Sequence, residues 1–128
     1  VEHLRAGYRP EVLPTWPMRP AIDLIATTPD GRTLADPALL AAVRMEAAAR
    51  GLDAATNATY PLHPSTLAAA FAARHPGRTL CLEVRRDLLV REFTPFAEMI
   101  PLAERVQPIA ELLAAALASV LAKATDVR

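Results

Sequence analysis

Proline placement limits this chain more than any other feature, because each of its 12 prolines fixes one φ angle and removes one backbone donor. Four of them fall in the run Arg9-Pro10-Glu11-Val12-Leu13-Pro14-Thr15-Trp16-Pro17-Met18-Arg19-Pro20. Neither a helix nor a central strand survives such spacing. Residues 1–20 therefore read as an extended arm, with Trp16 and Met18 available to dock it over a groove or on the outside of a core. The organised domain has to come from residues 21–128.

Other prolines and glycines mark the ends of segments in that remainder. Ile22-Asp23-Leu24-Ile25-Ala26-Thr27-Thr28 is short, apolar and partly β-branched, and Pro29-Asp30-Gly31 ends it, so it reads as a buried strand. Asp36-Pro37 reads as the N-cap and first position of a helix carrying Leu39, Leu40 and Val43 at helical spacing up to Arg50, with Gly51 as its C-terminal stop. Leu52 to Tyr60 is too short for a helix and reads as extended, closing at Pro61 and Pro64. Ser65 can cap a second helix from Thr66 to Arg74, with Leu67 and Phe71 on one face and Pro76-Gly77 behind it. Leu80 to Val90 alternates, with Leu80, Leu82 and Val84 on one side and Cys81, Glu83, Arg85 and Asp87 on the other, which predicts a strand. Pro108 starts or kinks a long helix through about Lys123, with Leu112, Leu113, Leu117, Val120 and Leu121 as its apolar stripe.

This order of strands and helices predicts an α/β fold in three layers, a largely parallel sheet flanked by helices. Three strands are few for such a sheet, and the count points to further strands from elsewhere. Residues 21–128 thus read as an α/β domain or as the C-terminal half of one. A chain of 128 residues can bury a core without disulfides. The 52% hydrophobic content overstates that core, since alanine fills 27 positions.

Fourteen basic side chains, 13 of them arginine, balance 14 acidic ones, which removes the electrostatic footprint expected of a partner to nucleic acid or an anionic membrane. No run approaches the ~18 consecutive apolar residues of a spanning helix, and Val1-Glu2-His3-Leu4-Arg5 carries no signal-peptide core. The single cysteine, Cys81, can make no internal bridge, and a cytoplasmic location is the simplest expectation. The first residue is not Met, which leaves open a processed chain or a piece of a longer one.

Ligands of open α/β sheets gather at the carboxyl ends of strands, so Asn57-Ala58-Thr59-Tyr60 and Glu83-Val84-Arg85-Arg86-Asp87 draw attention. Glu83 and Arg85 stand two apart on one strand face, about 7 Å from each other. There a carboxylate can take a proton from an attacking water while a guanidinium forks a substrate carboxylate. The same spacing also suits a solvated strand face with a surface ion pair, and Asn57 and Tyr60 also suit a turn and a rim. His3, His63 and His75 make no metal-ligand spacing, and His63 between Pro61 and Pro64 suits a turn as well as a substrate contact. Cys81, with no histidine paired in sequence, reads as an inert small residue. The four glycines are isolated, so no phosphate loop exists, and no Gly-x-Ser-x-Gly elbow marks a serine hydrolase.

Ile22-Asp23-Leu24 to Gly31, the helix ending at Gly51, Asn57-Ala58-Thr59-Tyr60 and Leu82-Glu83-Val84-Arg85-Arg86-Asp87-Leu88 together resemble the C-terminal half of the N-formylglutamate amidohydrolase family, over roughly residues 20–125. The resemblance implies a zinc-dependent amidohydrolase of the zinc carboxypeptidase fold, cleaving the amide of N-formylglutamate or a related N-acyl amino acid. Glu83 would match the general base, Arg85 or Arg86 the residues that hold a substrate carboxylate, and Asn57 and Tyr60 the polar ends of an Asn-x-Pro-Tyr motif. Thr59 stands where the family has Pro, and Pro61-Leu62-His63-Pro64 replaces the glycines that often follow. The zinc-binding segments of the N-terminal half have no counterpart here, so the metal ligands would have to come from sequence outside this chain. The competing expectations are a shortened inactive relative or a non-catalytic α/β interaction module that self-associates through its alanine-rich helices and proline-rich arm.

Overall fold

The computed structural model describes residues 18–94 and 98–125, with side chains through Ala122; most of the proline-rich arm, Trp16 included, lies outside these residues. Among the described residues the chain is a mixed α/β fold of three helices and one three-stranded sheet. The elements are β1 (Ile22–Ile25), α1 (Pro37–Ala49), β2 (Ala54–Thr56), α2 (Leu67–Arg74), β3 (Cys81–Val84), a 3-10 turn (Arg86–Leu88) and α3 (Ala103–Thr125).

The sheet order is β2-β1-β3. β1 and β2 are parallel, with Ile22 opposite Ala54, and α1 makes the crossover between them. The parallel expectation fails for β3, which runs antiparallel to β1 with Ile22 opposite Val84 and Ile25 opposite Cys81. The cause is local. The segment before β3 is pinned near the end at which β1 finishes, because the Gly77 N–H donates to Leu34 at 3.2 Å and the Asp36 N–H donates to Thr79 at 2.9 Å. Gly77, at φ +68, makes the turn that this pinning requires. The chain therefore re-enters the sheet from that end.

Helix α1 begins as its sequence dictates: the Asp36 carboxylate accepts from the N–H groups of Ala38 (2.8 Å) and Leu39 (3.3 Å), and Pro37 occupies the first turn. For α2 the cap is Thr66, whose hydroxyl accepts from the Ala69 N–H at 3.1 Å; Ser65, the expected cap, meets the His63 ring instead. Leu67 and Phe71 are not the buried face of α2. Ala69 and Ala72 are, packed with Ile25, Leu34 and Leu62, and the two large residues are left exposed. The third strand stops at Val84, short of the expected Val90, where the Arg85 guanidinium bonds Asp87 and the chain enters the 3-10 turn. Helix α3 starts five residues before Pro108, which lies inside it. Its deepest residues are Ile109, Leu112 and Ala116, while Leu117 and Leu121 of the expected stripe face outward.

Strand alternation in β1 divides the interior. Ile22 and Leu24 join Val43 and Ala47 of α1 and Leu112 and Ala116 of α3 in one cluster, with Leu82 against it. Ile25, on the other face, packs with Leu34, Leu62 and the two alanines of α2. By length and composition alone α3 would pass as a membrane span, with mean hydropathy 1.4 over Ala103–Ala122; in this fold one side of it packs on α1.

A carboxylate site beside an apolar groove

Antiparallel entry of β3 changes which residues share the ligand-gathering end of the sheet. The amino end of β3 meets the carboxyl end of β1, so Cys81 lies there and Arg85 and Arg86 lie at the opposite end. Arg85 does not reach Glu83: its Nε donates to Asp87 at 2.7 Å and its terminal nitrogen to the Arg19 carbonyl at 2.7 Å. Arg86 is exposed on the 3-10 turn.

What the fold does bring to Glu83 is Asp23 and Tyr60. Asp23 and Glu83 are direct cross-strand partners on one face. Asp23 is only 2% exposed, and a buried carboxylate is costly unless its oxygens are bonded. Its two oxygens accept from the N–H groups of Ala58 at 3.0 Å and Thr59 at 2.6 Å. Asn57 fastens the same loop. It adopts φ 53, a left-handed conformation that asparagine tolerates, and its side-chain oxygen accepts from Ala26 at 2.9 Å and Thr27 at 3.3 Å. With residues 57–59 fastened to β1, the Tyr60 hydroxyl donates to a Glu83 carboxylate oxygen. Asn57 is thus a clasp of the loop, and Tyr60 is the residue that meets the carboxylate.

Electrostatics follow this geometry. The hydrogen bond to Glu83 pushes the Tyr60 phenol up to about 12, with partial burial and the Glu83 charge acting in the same direction. Burial, then the Glu83 charge, pushes the Cys81 thiol up as well. Cys81 therefore stays protonated near neutral pH, as suits an inert residue. His63 is exposed, with its Nδ1 2.6 Å from the Ser65 hydroxyl.

Beside this site lies a groove of about 460 Å³ between α2 and the sheet, walled by Ile25, Leu62, Phe71 and Ala72, with Cys81 and Arg78 in its lining. The volume falls within the roughly 300–1,000 Å³ of small-molecule sites. Glu83 does not line the groove; it follows Cys81 by two residues, about 7 Å along the strand. Among the described residues no cluster of three histidine, cysteine, aspartate or glutamate side chains could hold a metal ion. The carboxylates that do approach each other are already engaged by backbone N–H groups and by Tyr60. The described residues thus do not by themselves fit a zinc centre.

Spacing alone singled out Glu83, Asn57 and Tyr60 but missed Asp23 and Arg78. A carboxylate inside the strand Ile22–Ile25 was the available signal for Asp23, since such a group needs a partner. Nothing in the pattern around Arg78 distinguishes it, because its position depends on which way β3 enters the sheet. No protein-family model matches the chain, and no significant match was found among curated proteins or solved structures.

Proposed function

We propose that this chain supplies the general base and part of the substrate cleft of an amidohydrolase acting on an N-formyl or N-acyl amino acid, N-formylglutamate being the substrate that the family resemblance implies. The observation that carries this reading is a half-buried glutamate, oriented by a tyrosine hydroxyl and neighboured by an apolar groove of about 460 Å³. In the reaction Glu83 takes the proton of the water that attacks the acyl carbon and returns it to the leaving amine. Tyr60 fixes the carboxylate rotamer, and Asp23 and Asn57 hold the loop that carries Tyr60. Zinc would need ligands from outside the described residues, as would the further strands of the larger, more parallel sheet that the resemblance implies.

A second reading has its own support. Val106, Leu117 and Leu121 of α3 are 38%, 49% and 57% exposed, which favours a module that docks a partner, a second copy included. One experiment separates the two. Bound zinc and amide hydrolysis are measured for this chain and for the product of its complete reading frame, each beside Glu83→Gln. The enzyme reading expects hydrolysis that falls at least about a hundredfold in Glu83→Gln while the circular dichroism spectrum is unchanged. Absent hydrolysis, or equal rates in parent and variant, overturns it; concentration-dependent dimerisation in sedimentation would then support the module.

A further inference from the structure

The apolar groove contains a feature that the carboxylate site does not use. Arg78 is in its lining, and among the described residues the guanidinium has no hydrogen-bond or ion-pair partner. The backbone around Arg78 is fastened: the Gly77 N–H donates to Leu34, the Arg78 N–H to His75 at 3.2 Å, and Thr79 forms a bridge with Ala35. The Arg78 side chain is exposed, so its unpaired guanidinium is open to an anion that enters the groove. No acidic side chain lines the groove, and the walls opposite Arg78 are aliphatic or aromatic. Charge complementarity therefore specifies a ligand with one carboxylate and an apolar body.

We infer that the groove binds an N-acyl amino acid with an apolar side chain, its carboxylate on Arg78 and its side chain among Leu62, Phe71 and Ala72, in preference to an N-acyl glutamate. A glutamate side chain would bring a second carboxylate into a groove whose lining offers one cation, and desolvating that charge without a partner is costly. Arg78 takes the part that sequence spacing gave to Arg85, whose guanidinium is held by Asp87 and the Arg19 carbonyl. The inference rests on the amidohydrolase reading for the ligand's amide, but its test reads binding rather than turnover, so each can fail without the other.

The test titrates the full chain with N-acetyl-L-leucine, N-acetyl-L-leucinamide and N-acetyl-L-glutamate, following amide shifts by NMR and heat by calorimetry. N-acetyl-L-leucine should bind at least tenfold more tightly than the leucinamide, which lacks the carboxylate, and more tightly than the glutamate derivative. Arg78→Gln should lose about tenfold in affinity for N-acetyl-L-leucine and none for the leucinamide, whereas Arg85→Gln should bind as the parent does. Ala68→Phe, on the groove wall, should abolish binding of both leucine ligands, with dispersed amide spectra showing that each variant is folded. Equal affinity for the leucine and glutamate derivatives, no binding at all, or an Arg78→Gln variant indistinguishable from the parent would each overturn the inference.

Discussion

The two faces of the sheet are built from the same three strands and differ in almost everything else. One face carries Ile22, Leu24 and Leu82 and is closed by α1 and α3, whose own buried residues complete the cluster. The other carries Asp23, Ile25, Cys81 and Glu83, and its cover is the eight-residue α2, which approaches through alanines. Small contact residues on a short helix bury little area, and this second face carries the groove and the carboxylates Asp23 and Glu83. Strand parity separates the two environments: a step of one residue along β1 or β3 moves from the closed cluster to the face that carries the groove and the candidate site, where Ile25 is itself buried.

The largest expected effect lies on the closed face. Leu24 is fully buried, so Leu24→Ala should cost about 2–5 kcal/mol in urea unfolding. That is a large part of the roughly 5–15 kcal/mol available to a domain. The matched change on the open face, Phe71→Ala at a residue 59% exposed, should cost less than about 1 kcal/mol. Similar losses at both positions would show that the groove face is as tightly packed as the other, and the contrast would fall.

An intermediate effect is expected where the open face behaves like a core. Asp23→Ala leaves the Ala58 and Thr59 N–H groups without their acceptor, at a cost on the order of 2–3 kcal/mol. Asp87→Ala, which removes the partly exposed partner of Arg85, should change stability by less than about 1 kcal/mol. Chemical denaturation of the two variants checks the difference. If Asp23→Ala proved as mild as Asp87→Ala, the carboxylate would not be fastening the loop that carries Tyr60.

Legibility in the sequence followed how local the controlling interaction is. Asp36, Pro37 and Gly51 announce α1 because a cap, a first-turn proline and a stop act within a few residues. The alternation of Leu82 and Val84 against Cys81 and Glu83 likewise placed the right side chains on the right faces. The direction of β3 was not legible, since it is set by hydrogen bonds between residues 77–79 and residues 34–36. That one reversal put Arg85, the expected clamp, at the far end of the strand and Arg78 and Cys81 beside the groove. On α2 the large residues misled because the helix turns Ala69 and Ala72, and not Leu67 and Phe71, toward Ile25, Leu34 and Leu62. At Glu83, spacing singled out the carboxylate but paired it with Arg85, when the partner is a tyrosine 23 positions earlier that reaches it only after Asp23 and Asn57 have folded the loop back.

The smallest effect tests that last contact directly. In a Tyr8→Phe background only Tyr60 of the two tyrosines remains to ionise, and phenolate absorbance should report a titration at about 12. Glu83→Gln removes the negative acceptor, and the titration should fall toward the ordinary value of about 10. Asp23→Ala should lower it too, by releasing the loop. Linkage gives the accompanying stability its direction. Between about pH 10 and 12 the folded chain keeps a phenol proton that the unfolded chain has lost, so the contribution of this bond is intact below about pH 10 and fades as the pH rises toward 12. A parent protein whose Tyr60 already titrates near 10, unmoved by Glu83→Gln, would mean that the hydroxyl does not hold the carboxylate. Glu83 would then be an ordinary residue of a strand face, with nothing to orient it toward a reacting water.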